Sequence, residues 1–289
     1  MINNSCNIIA IANRKGGCAK TTAAVNLAAA LAEEGKKTLL IDMDSQANAT
    51  TWLRNGLKDN QYSVFEFLAG RVGGKKIWYQ DTVIELGKNL KLIPGSNKLN
   101  EIEPMMAVAE KMKNTEVRYY LQQRIREIDE DFDYILIDCP PGLGYIMLNV
   151  LTATDYAIIP GFDAFAVKGA IEVIDLIDTQ IRKRNPGLHV LGFLITRYGN
   201  RFLGNGLPAF FRYRNLSIAL KRYFNGNVLK TFIREDNKLE EACCNGQTIF
   251  EYKRYSNAGQ DYEALAKEII SIIDALKQED IHETERKSI

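Results

Sequence analysis

Asn13–Thr22 reads "NRKGGCAKTT". It follows directly on "NIIAIAN" (Asn7–Asn13), a short β-rich run, and leads into "KTTAAVNLAAALAEEGKK", where apolar residues recur at helical spacing until Gly35, a natural helix stop. Strand, glycine loop, helix is the context in which backbone N–H groups and a helix N-terminus surround an anion. The common phosphate-loop pattern is G-x-x-x-x-G-K-[ST]. With Lys20-Thr21 aligned on its last two residues, Arg14 and Ala19 stand where glycines belong, and Lys15 precedes the Gly16-Gly17 pair. The two glycines let the chain approach phosphate oxygens. Lys20 is placed to reach the β- and γ-phosphates and the Thr21 hydroxyl to ligate Mg²⁺. Ala19 is expected in a helical backbone conformation just ahead of the first turn, where an alanine costs little.

Outward from the loop, "KTLLIDMD" (Lys37–Asp44), "FDYILIDCPPG" (Phe132–Gly142), "DYAIIPG" (Asp155–Gly161) and "HVLGFLIT" (His189–Thr196) are too continuously apolar for surface ribbons, and helical stretches separate them. "NLKLIPGS" is a weaker strand. Alternation of this kind predicts a doubly wound α/β fold, a mostly parallel sheet with helices on both faces and ligands at the carboxyl ends of strands. Asp42, Asp44 and Asp138 all fall at such ends. One strand-end aspartate is ordinarily a turn or cap. Three beside a phosphate loop point to a magnesium–phosphate site, which needs negative groups near the metal and one to orient water.

Composition excludes several classes. The 289 residues are 46% hydrophobic and 25% charged, with a net charge of +1, so any nucleic-acid role rests on a local patch. No apolar run approaches the roughly 20 residues that span a bilayer. Five cysteines without C-x-x-C spacing argue against a disulfide framework or a thiolate zinc site, and two histidines disfavour histidine catalysis. A single domain over residues 1–277 is expected, with 278–289 a polar, frayed tail.

"KGGCAKTT", "LLIDMDSQANAT" and "YILIDCPPGLG" together resemble the ParA/Soj-type DNA-partitioning ATPases, the deviant branch of the P-loop NTPases. The resemblance continues through "TFIREDNKLEEACCNGQTIFEY" and "GQDYEALAKEI". It is thinner over Thr51–Glu130 and Arg197–Gly226. It implies ATP and Mg²⁺ as cofactors and an ATP-dependent homodimer. Lys15 would cross the dimer interface to the partner's nucleotide. Residues Lys15, Gly16, Gly17, Cys18, Ala19, Lys20, Thr21 and Thr22 would bind nucleotide, Thr22 at the α-phosphate. Asp44 would position the attacking water, making Lys15, Lys20 and Asp44 the catalytic set. Thr21 would ligate the metal, with Asp42 and Asp138 supporting it through water. The resemblance also implies non-specific double-stranded DNA and a ParB-type centromere-binding protein as partners, in a cytoplasmic, nucleoid-associated setting. Cys18 and Ala19 depart from the commoner valine and glycine.

From Arg197 through Arg234 eight cations occur without an intervening Asp or Glu, interleaved with aromatics. Among them Arg201, Arg212, Arg214, Lys221 and Arg222 are DNA-binding candidates on charge alone. Lys238, in "KLEEA", matches a family position associated with DNA contact. The competing reading is a MinD-like membrane ATPase. It requires a basic amphipathic C-terminal helix. The last twelve residues, "QEDIHETERKSI", carry four acids against two cations, and no membrane role is expected. An iron–sulfur carrier of the same superfamily would need bridging thiolates, for which Cys243-Cys244 is the only pair worth watching. A nucleotide-gated adaptor with almost no turnover stays open.

Overall fold

The computed structural model describes residues 6–54, 62–113, 115–199 and 227–287. In chain order the strands are β1 (Asn7–Ile11), β2 (Thr38–Asp42), β3 (Arg71–Val72), β4 (Lys75–Lys76), β5 (Ile84–Glu85), β6 (Leu90–Ile93), β7 (Tyr134–Asp138), β8 (Tyr156–Gly161) and β9 (His189–Ile195). The helices are α1 (Lys20–Glu33), α2 (Asn48–Leu53), α3 (Val64–Ala69), α4 (Leu99–Lys111), α5 (Tyr120–Ile125), α6 (Tyr145–Ala153), α7 (Ala164–Leu176), α8 (Lys238–Cys244), α9 (Ile249–Lys253) and α10 (Asn257–Lys287).

Seven strands form one sheet in the order β5-β6-β2-β7-β1-β8-β9. Every pairing is parallel except β5 with β6 at the edge. β3 and β4 make a separate antiparallel hairpin. Because side chains alternate across a strand, each central strand feeds two cores. Ile8 and Ala10 of β1, Leu39 and Ile41 of β2, and Ile135 and Ile137 of β7 pack with α3 to α7. Ile9 and Ile11, Leu40, and Leu136 pack with α1, α2 and α8 to α10 on the other face. This double burial is why the strands read as unbroken apolar runs. The register sets the carboxyl ends level, with Ile11 opposite Asp138 and Asp138 opposite Asp42.

α1 stops where Gly35 takes a φ of +80°. α10 is helical through Lys287, past Gln278. Its anchored part buries Ala258, Tyr262, Leu265, Ala266, Ile269 and Ile273, and helix propagation then adds one backbone hydrogen bond per residue.

Candidate functional site

The glycine loop bridges β1 and α1 at the carboxyl edge of the sheet. Asn13 fixes it: its buried amide donates to the carbonyls of Pro160 (2.8 Å) and Ala166 (3.0 Å), and its oxygen accepts from the Lys15 N–H at 2.9 Å. α7 therefore lies hard against the loop, and a Cβ on Gly169 would fall 2.5 Å from the Asn13 oxygen and 3.0 Å from the Lys15 nitrogen. Gly17 turns the loop with a φ of +72°. Cys18 is buried, its thiol donating to the Lys15 carbonyl at 3.1 Å, so it packs the loop from beneath.

Ala19 corrects an expectation. It is left-handed, with φ 70° and ψ 28°, at the N-cap of α1. An L-residue there costs roughly 1–2 kcal/mol because its Cβ crowds the following carbonyl. The position asks for glycine on backbone grounds, and the alanine carries that strain.

The two lysines of the loop diverge. Lys20 is buried and donates to the Lys15 carbonyl at 3.1 Å. Lys15 turns away from the loop to Asp163, 2.7 Å from its Oδ2, with the rings of Phe162 and Phe165 each 5.4 Å from the ammonium. The other Asp163 oxygen caps α7, accepting from Ala166 N at 2.7 Å. The carboxyl is held below its usual range: its bonds to Lys15 and the α7 backbone outweigh the opposing burial. Asp163 is a residue the sequence reading missed. The signal was its place at the end of a third buried strand, directly before a helix.

Asp42, Asp44 and Asp138 converge behind the loop. Asp42 is fully buried: Oδ2 accepts from the backbone (2.9 Å) and hydroxyl (2.7 Å) of Thr50, and Oδ1 from Asp44 N at 3.2 Å. Burial pushes its carboxyl up to about 6. The Thr50 hydroxyl in turn accepts from Gly95 N at 2.7 Å, so Asp42 ties α2 and the end of β6 to β2. Asp44 lies just beyond β2 and accepts from Gln46 N at 2.9 Å. Asp138 is fully buried; the Thr21 hydroxyl lies beside it, but neither carboxyl oxygen accepts a hydrogen bond of ordinary geometry. Burial first, then the neighbouring Asp42, raises its carboxyl well above the usual range, and the Thr21 hydroxyl and Lys20 ammonium offset part of this. A buried carboxylate without a donor is costly. Beside a phosphate loop such a group fits a cation carried in with phosphate; among the described residues no group of three or more His, Cys, Asp or Glu could hold a metal ion.

Beside the loop opens a cavity of about 720 Å³ lined by Ala19, Thr22, Trp52, Thr196, Ile233 and Asp236, among others. The buried Thr196 hydroxyl has no hydrogen-bond partner. The volume falls within the range of small-molecule sites. Its walls come from α1, α2, the end of β9 and the segment before α8, which no local motif announces.

A family model described as an AAA domain matches residues 6–190. The sporulation initiation inhibitor protein Soj of Bacillus subtilis is 34% identical over 269 residues, 91% of this chain and 97% of that protein. The chain belongs to the ParA/Soj family of partitioning ATPases. Among solved structures, the cell division ATPase MinD of Pyrococcus furiosus aligns at a TM-score of 0.70 with 26% identity, covering 92% of this chain and 99% of that one. A putative plasmid partition protein of Borrelia burgdorferi, solved bound to AMPPNP, aligns at 0.69 with 26% identity over 92% and 98%. The seven-stranded, mostly parallel sheet with helices around it matches the P-loop NTPase fold of these neighbours.

The DNA-binding candidates divide. Lys238 opens α8 and its ammonium is gripped by both Glu241 oxygens at 2.7 and 2.8 Å, with the Tyr252 hydroxyl also donating to Glu241 at 2.6 Å. Arg234, one of the eight cations, is committed to Asp261 at 2.7 Å. Arg201, Arg212, Arg214, Lys221 and Arg222 lie outside the described residues. No described helix is long and apolar enough to cross a membrane.

Proposed function

We propose that this chain partitions DNA as an ATP-driven dimer. Mg-ATP binds at the glycine loop, two copies close around two nucleotides, and the dimer holds double-stranded DNA through phosphate contacts without reading bases. Hydrolysis, stimulated by a ParB-type centromere-binding protein, resets it. The observation that carries this reading is the divergence of the loop lysines. Lys20 stays within its own loop, while the Lys15 ammonium reaches out of it, where a second protomer would approach.

Each residue then has a task. The loop N–H groups and Lys20 hold the phosphates, and Thr22 the α-phosphate. The cavity beside Thr22 and Thr196 receives the nucleoside. A magnesium ion, when bound with the nucleotide, supplies charge neutralisation on the phosphates; Thr21 would ligate it, with Asp138 and Asp42 behind. Asp44 orients the attacking water. Lys15 adds positive charge to the partner's triphosphate. Lys238 and the cations of residues 201–222 meet DNA. If each protomer makes about three phosphate contacts, dimerisation doubles the salt exponent of binding, so the nucleotide controls residence on DNA.

The test compares DNA binding with ADP, ATP and a non-hydrolysable analogue. Lys15→Ala should lose the ATP-dependent dimer; Asp44→Ala should dimerise and stay on DNA. Equal salt exponents in the ADP and ATP forms would refute the switch.

A further inference from the structure

Positive charge also gathers far from the loop. Arg118, Lys183 and Arg184, with Tyr119, Thr179 and Gln180, line a hollow of about 440 Å³. It opens where the 3₁₀ segment Thr115–Tyr119 meets the π-helical turn Ile177–Ile181 that prolongs α7. α7 begins beside Lys15, and the path from Asp163 to Gln180 spans about 25 Å at 1.5 Å per residue. The hollow is thus at the opposite end of the sheet from the nucleotide loop.

Its polar groups are incompletely matched. Arg118 pairs with Glu110 through Nη2, yet its Nε is buried with no hydrogen-bond partner. Arg184 makes one long bond, Nη1 to the Gln180 carbonyl at 3.4 Å. Its guanidinium is pulled below its ordinary range by burial and then by Arg118. Among the described residues no carboxylate pairs with Lys183 or Arg184; the adjacent Asp178 is taken by Arg182 at 3.3 Å. An orphaned donor and like charges gathered around one hollow both cost free energy. An oxyanion in the hollow offsets the gathered positive charge, and a phosphate offers several acceptor oxygens to planar guanidinium forks.

We propose that this hollow is a phosphate-binding site, separate from the nucleotide loop and filled independently of it. The phosphate comes either from a free phosphorylated molecule or from a nucleic-acid backbone, and the two sources separate experimentally. The full-length protein is first saturated with Mg-ADP, so that the glycine loop is occupied. Inorganic pyrophosphate is then titrated by calorimetry into wild type, Arg184→Gln and Lys183→Gln. In parallel, affinity for a short DNA duplex is measured across a salt series.

A free source gives pyrophosphate binding that weakens at least tenfold in Arg184→Gln. A backbone source leaves pyrophosphate without effect but lowers the salt exponent for the duplex by about one in Arg184→Gln. In either case Lys75→Gln, an exposed cation on the β3–β4 hairpin, changes nothing. Without ligand, Arg184→Gln melts at or above wild type because one of the three like charges lining the hollow is gone. The proposal is overturned if both arms match wild type, if Lys75→Gln has the same effect, or if Arg184→Gln melts lower, as a merely structural arginine would.

Discussion

Asp163→Asn isolates the contact that restrains Lys15. Asparagine caps a helix about as well as aspartate, so the bond to Ala166 N survives while the charge facing Lys15 disappears. Lys15 and Asp163 are 29% and 19% exposed, less open than the surface pairs worth 0.2–1 kcal/mol, and about 1 kcal/mol per protomer is a reasonable magnitude. The rings of Phe162 and Phe165 remain around the ammonium. If both lysines must leave Asp163 when two protomers close, the released restraint is about 2 kcal/mol per dimer, or roughly thirtyfold in the dimer dissociation constant. Sedimentation equilibrium with a non-hydrolysable ATP analogue measures that constant directly. Tighter dimers at an unchanged ADP affinity are expected. An equal or weaker dimer, from a variant that melts like wild type, would show that Lys15 does not leave Asp163 to bind across the interface.

Ala19→Gly removes the left-handed strain of roughly 1–2 kcal/mol and adds backbone freedom worth about 0.5–1 kcal/mol to the unfolded chain. The melting temperature should hold or rise by up to about 3 °C; a fall would mean that Ala19 is not strained. Gly169→Ala puts a methyl 2.5 Å from the Asn13 oxygen, so ADP affinity measured by calorimetry should drop while the sheet stays folded. Asp155 accepts from Ile8 N at 2.9 Å, and burial raises its carboxyl to about 6. A raised carboxyl binds its proton more tightly in the folded state, so its burial penalty is full above that value and fades as pH falls towards the unfolded value. Asp155→Asn should therefore be more stable than wild type at pH 7.5 by on the order of 1–3 kcal/mol, with the advantage vanishing near pH 4. Urea melts at both values check this, and a pH-independent difference would exclude the titration.

What the sequence disclosed, and what it hid, follows from how far each interaction reaches along the chain. β1, β2, β7, β8 and β9 were legible because burial on both faces leaves an unbroken apolar run, and the glycine loop because its function is carried by contiguous backbone. Asp42, Asp44 and Asp138 were legible as a set because parallel register aligns strand ends. Asp163 was not: its meaning is a bond to Lys15, 148 residues away. Thr50 and Gly95 complete Asp42's shell from two other segments. Ala19 shows the opposite failure, since only the handedness of a single residue departs from the expected backbone, with φ and ψ both positive. That handedness matters chemically. A left-handed residue at this corner lets α1 begin immediately with Lys20, placing Lys20 and Thr21 in its first turn. Glycine would adopt the same turn without strain, so the alanine cannot be needed to form it. Its cost falls on stability, and the loop geometry that orients Lys20 inward and Lys15 outward is set instead by Asn13, which pins the chain to β8 and α7 between the two.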